Sequence, residues 1–123
     1  MSTLKIGIRG NQTRFRPGDT LEGMAFWRLD APPEAVEICL HWFTQGKGTR
    51  DGATIEMIRF PSPGVHGTRE FRFHLPPSPY SFSGKLISLT WAVALVVKPG
   101  LAVTQAEFTM SPTGGEIVLP QNA

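Results

Sequence analysis

From Lys85 to Val97 the chain reads KLISLTWAVALVV, with Ile87, Leu89, Trp91, Val93, Leu95 and Val97 on one parity and Ser88, Thr90, Ala92 and Ala94 on the other. A period of two is the repeat of a β-strand, whose successive side chains point to opposite faces, and no helix gathers those apolar residues on one side. The small residues of the second parity let a neighbouring element lie close.

The same alternation recurs along the chain. Leu4, Ile6 and Ile8 alternate with Lys5, Gly7 and Arg9. Leu21, Gly23, Ala25, Trp27 and Leu29 oppose Thr20, Glu22 and Arg28, although Met24 and Phe26 interrupt the polar side. Val36, Ile38, Leu40 and Trp42 oppose Glu37, Cys39, His41 and Phe43, and Phe71, Phe73 and Leu75 oppose Glu70, Arg72 and His74. Weaker strands are expected over Ala53 to Phe60 and Ala102 to Met110, with an edge piece at Glu116 to Leu119. No segment places apolar residues at helical spacing over a helix's length. The chain's 13 Gly and 11 Pro fall mostly between these runs, at Pro17-Gly18, Pro32-Pro33, Pro61 to Gly64 and Pro76-Pro77, where turns are required. Seven or eight short strands at regular intervals predict an all-β chain, a sandwich or a barrel.

At 123 residues the chain is expected to form one domain, 1–123, around one core. A formal charge of +2 is too small and too dispersed for a nucleic-acid footprint, so no nucleic acid is expected as partner. Cys39 is the single cysteine, which excludes an intrachain disulfide. The start, MSTLKIGIRGNQ, lacks the apolar core of a signal peptide, and no window is long and apolar enough for a transmembrane segment; a cytoplasmic location is the expectation.

Two stretches carry a family resemblance. FRPGDTLEG, Phe15 to Gly23, holds an aromatic-x-Pro-Gly-Asp turn that feeds a strand, and FRFHLPPSPYSFSGKLISLTWAVALVV, Phe71 to Val97, holds a Phe-x-Phe-x-Leu-Pro strand, a Pro-x-Ser turn and a long strand with an aromatic at its centre. Through Phe15, Pro17, Gly18, Asp19 and Gly23, then Phe71, Phe73, Leu75, Pro76, Pro79, Ser81, Gly84 and Trp91, the chain resembles the arrestin-like family, which includes arrestins, retromer-associated relatives and bacterial sporulation-control proteins. The resemblance implies an immunoglobulin-like antiparallel β-sandwich. It also implies a protein-binding scaffold without catalysis. The family typically carries two such sandwiches in tandem, whereas this chain has length for one, so two copies pairing to replace the missing half is a further expectation.

Candidate residues for chemistry do not converge. His41 and His74 fall on polar strand faces and His66 in a Pro/Gly loop, none with a second His or Cys at metal-ligand spacing, so these read as surface histidines and no metal or cofactor is expected. Cys39 shares a strand face with His41, but neither has a visible orienting partner. GKGT, Gly46 to Thr49, lacks the preceding Gly and following helix of a phosphate loop; with Lys47 and Arg50 it reads as a basic loop able to meet an acidic partner. Trp27, Trp42 and Trp91 fall on apolar faces as core residues. Met24, Phe26 and Phe43 fall on outer faces, the mark of an interface or a covered sheet. The expected function is a non-catalytic protein-interaction or scaffold module that also self-associates, with Met24, Phe26, Phe43, Lys47 and Arg50 as its surface. The alternative is a small-ligand or carbohydrate-binding sandwich using aromatics such as Trp42 and Tyr80.

Overall fold

The structure, a computed structural model, describes residues 2–46, 51–84, 86–99, 102–115 and 117–118. Strands β1 (Thr3–Ile8), β2 (Arg14–Phe15), β3 (Thr20–Arg28), β4 (Ala35–Gly46), β5 (Gly52–Pro61), β6 (His66–His74), β7 (Phe82–Ser83), β8 (Ile87–Lys98), β9 (Val103–Met110) and β10 (Ile117–Val118) follow in order, with one 3-10 turn at Arg9–Asn11. The described residues hold no α-helix. Seven strands are six residues or longer and three are two-residue pieces, which reconciles the expected count with the observed one.

The strands form two sheets. The smaller has the order β1-β3-β6, antiparallel throughout. In the larger, β8 lies between β4 and β9, β5 forms the far edge beyond β4, and β7 and β10 extend the β8 side. The long strands pair antiparallel, while the short pairs β2–β9 and β7–β10 are parallel, a departure from an all-antiparallel sandwich.

The expected faces are the observed ones. Leu21, Ala25 and Trp27 of β3, Phe71 and Phe73 of β6, Val36, Ile38 and Leu40 of β4, and Leu89, Trp91, Val93 and Leu95 of β8 are buried between the sheets. Each such large side chain contributes roughly 1.5–3 kcal/mol relative to exposure. Trp42 differs from Trp27 and Trp91 in being only half-buried. Each buried indole keeps its N–H satisfied: Trp91 donates to the Pro79 carbonyl at 2.8 Å and Trp27 to the Gly64 carbonyl at 3.4 Å.

The Pro17-Gly18-Asp19 turn locks a corner of the sandwich. Gly18 has a φ of 84°, a left-handed conformation that glycine adopts without a Cβ penalty. The Asp19 carboxylate accepts from the Arg16 amide at 2.8 Å, while Gly18 donates to the Leu75 carbonyl and Leu75 donates to the Asp19 carbonyl. The turn therefore binds the start of β3 to the end of β6. That fixes the register Leu21↔Phe73 and Gly23↔Phe71, and with it which β3 face enters the core.

Candidate interaction surfaces

Two sheets back to back have two outer faces, and the residues expected to form one interface are divided between them. Met24 and Phe26 lie on the outer face of the β1-β3-β6 sheet, where the register sets Gly7↔Met24↔Glu70 and Lys5↔Phe26↔Thr68. Phe43 lies on the outer face of the larger sheet. Met24 is 47% exposed, whereas Phe26 and Phe43 are half-buried. Lys47 and Arg50 lie outside the described residues.

On the smaller sheet, Gly7 is exposed and nothing lies within 4 Å of where its Cβ would stand, so a notch opens beside Met24. Below it Glu22 accepts from Arg9 Nη1 at 3.0 Å and stands 3.5 Å from Arg72 Nη2. Gly7, Arg9, Glu22, Met24, Glu70 and Arg72 line a shallow depression of about 660 Å³. Ile8 and Phe71 also line it, so it combines apolar surface, with Met24 as its most exposed apolar side chain, with the alternating charges of Arg9, Glu22, Glu70 and Arg72.

The larger sheet's outer face is more apolar than the sequence predicts. Across it the register runs Met57↔Cys39↔Ala94 and Thr54↔His41↔Ala92↔Glu107. Ala92 and Ala94 are buried, since larger neighbours on β4 and β9 lean over the small central side chains. His41 is therefore no surface histidine: it is half-buried, packs on Phe43 with ring centroids 5.7 Å apart, and its Nε2 is buried without a hydrogen-bond partner. Burial lowers its pKa below the ordinary 6.5, opposed in part by a polar contact with Gln105 and by the Glu107 charge. Glu37, expected on a polar face, is also buried and accepts from Arg59 Nη1 at 3.1 Å. Burial, and then the Glu37 charge, raise the Cys39 pKa, with Lys98 opposing. A raised thiol pKa is the reverse of what an activated nucleophile needs. The other histidines are exposed: His66 is the first residue of β6 rather than a loop residue, and His74 Nδ1 is 3.2 Å from the Thr20 hydroxyl. Among the described residues no cluster of His, Cys, Asp or Glu could hold a metal ion.

The sheet edges differ in how they meet solvent. On β6, Thr68, Arg69, Glu70 and Arg72 are exposed, and the Arg69 guanidinium lies 5.6 Å from the Trp27 ring centroid and 5.5 Å from that of Phe60, covering the core where the sheets part. Charge on an edge discourages strand addition. β5 also carries exposed charges, Glu56 and Arg59, but beside them Ile55 is 43% and Met57 48% exposed, and the strand pairs only with β4 among the described residues. A register shift opposite Leu40 and His41 accommodates Ile55 as an extra residue. Periodicity could not have found this surface, because an exposed apolar residue in a strand reads the same as a buried one.

No protein-family model matches the chain, and no curated protein is similar to it in sequence. Among solved structures the chain is similar to Spo0M, the sporulation control protein from Bacillus subtilis, with a TM-score of 0.63 at 16% identity over 89% of this chain and 49% of that one. It also overlaps a beta-glucosidase from Listeria innocua solved with gluconolactone, with a TM-score of 0.46 at 14% identity over 94% of this chain and 16% of that one. The likeness to Spo0M establishes the fold as an arrestin-like β-sandwich, and the chain spans about half the length of that protein. No described helix is long and apolar enough to cross a membrane.

Proposed function

We propose that the chain is a non-catalytic protein-interaction module that works by offering a sheet edge and sheet faces to other proteins, in the cytoplasm. The observation that carries this reading is β5, an edge strand of ten residues with Ile55 and Met57 exposed. An edge strand has a free row of backbone donors and acceptors to which a partner's strand can add, and exposed apolar side chains along it supply the contact area. The arrestin-like fold supports the same reading at the level of architecture. Contact between copies of the chain is one form such an interaction takes.

The test places a photo-crosslinking residue at Ile55 or at Met57 in source cells, identifies the attached protein and measures its binding to the purified chain. Saturable binding that Ile55→Lys and Met57→Lys weaken by about tenfold or more is expected, since lysines on an edge oppose strand addition. Binding unmoved by both variants, or no protein attached at either position, overturns the reading.

A further inference from the structure

Resting on the reading of the chain as an interaction module, one surface can be assigned an occupant. We propose that the outer face of β1 and β3 joins two copies of this chain, packed face to face about a two-fold axis that runs along the strands midway between β1 and β3. An isologous contact requires a patch that complements itself, residue i meeting j and j meeting i.

The rows of this face have that property. Row by row, β1 and the turn that follows it oppose β3: Lys5 pairs beside Phe26 and Gly7 beside Met24, and just past the end of β1 the side chain of Arg9, in the 3-10 turn, bonds to Glu22. Rotation about the stated axis sets each β1 position over the β3 position of the same row in the other copy. Met24, exposed on one copy, then enters the notch over Gly7 of the second copy, and its own Gly7 receives the second Met24. The Lys5 ammonium meets the Phe26 ring, a cation–π contact, and the Arg9–Glu22 pairs stack so that each guanidinium faces a carboxylate. Aligned packing of two sheets about 10 Å apart is an ordinary geometry for such a contact.

Three other two-fold placements of the same face are poorer, two on charge and one on packing. An axis along β3 itself sets Glu22 over Glu22 and Arg9 over Arg72. An axis across the strands at the Met24 row sets Glu70 over Glu70 and Lys5 over Arg9. An axis between β3 and β6 matches Glu22 with Arg72 but presses the Glu70 carboxylate onto Met24 and leaves the Gly7 notch empty. The patch involves roughly ten residues a side against the ~20–30 of a standard interface, so the dimer exchanges rapidly and forms at high concentration.

Sedimentation velocity on the full chain up to the millimolar range tests this. A reversible dimer is expected, with Gly7→Gln, which fills the notch, and Met24→Asp each raising its dissociation constant by about tenfold or more. Glu22→Arg weakens it similarly, and adding Arg9→Glu restores it to within about threefold of the original, a recovery that a general loss of structure cannot produce. Near-UV circular dichroism verifies that each variant is folded. A chain monomeric throughout, or a dimer that Gly7→Gln leaves unchanged, overturns the proposal. Either result leaves the β5 crosslinking outcome intact, so the two readings fail separately.

Discussion

Gly67 stands directly opposite Trp27 across the β3–β6 pair, and a Cβ added to Gly67 would come within 2.6 Å of the indole Cζ2. The ring has no room to yield, because its N–H is held by the Gly64 carbonyl, the Arg69 guanidinium lies against it and Phe60 packs 6.4 Å from it. Overpacking of this kind costs about 1–3 kcal/mol. Gly67→Ala is therefore expected to lower the urea-unfolding free energy by that amount, and in a Trp27→Phe background, where the smaller ring leaves room, to lower it by less. An unchanged midpoint for Gly67→Ala would show that the indole can move.

His41 predicts a pH dependence of stability with a definite sign. Burial depresses its native pKa below 6.5, so as pH falls the unfolded chain takes the proton first and the native state loses stability. The loss begins near the unfolded value, continues down to the native pKa and is flat below it; above 6.5 the residue contributes no slope. Thermal midpoints measured from roughly pH 8 to pH 5.5, above most carboxylate titration, are expected to fall for the native chain and to fall less for His41→Gln. Equal slopes in the two proteins would contradict the burial argument.

How far the sequence carries can be judged from these residues. The core faces of β3, β4, β6 and β8 are legible as period-two alternation, because burial on one side of a pleated strand leaves no other pattern for Leu21, Ala25 and Trp27 or for Val36, Ile38 and Leu40, whereas β5, with no fully buried residue, and β9 show it weakly. The corner at Pro17 to Asp19 is legible because backbone geometry restricts which residues can occupy it. The outer faces are not legible, since their environment depends on which strands become neighbours. His41 lies beside the small Ala92 and near Gln105 and Glu107 of β9, relations that are not local in sequence. Met24 and Phe43 look equivalent along the chain, yet strand order sends them to opposite sides of the sandwich.

Cys39 is expected to be a slow nucleophile. Burial and the neighbouring Glu37 carboxylate disfavour its thiolate, and alkylation proceeds through the thiolate. Iodoacetamide at mildly alkaline pH should modify the folded chain at least about tenfold more slowly than the urea-unfolded chain. Glu37→Gln should raise the folded rate by removing one of the two causes. A folded rate matching that of the unfolded chain would mean that the thiol is accessible and ionises normally, and would reopen a chemical role for Cys39 beside His41.

The turn that anchors β3 to β6 should show coupling rather than simple additivity. Asp19→Ala removes the acceptor for the Arg16 amide, at about 0.5–1.5 kcal/mol for one hydrogen bond. Gly18→Ala forces a side chain into a left-handed φ of 84°, which costs about 1 kcal/mol. Both changes loosen the same segment, whose amide and carbonyl bond reciprocally to Leu75, so once one has released the turn the other has less left to disrupt. The double variant is expected to lose less stability than the sum of the single losses, with the urea m-value unchanged because the surface exposed on unfolding is the same. Strict additivity would mean that the carboxylate and the glycine act independently, and that the Leu75 bonds alone hold the corner.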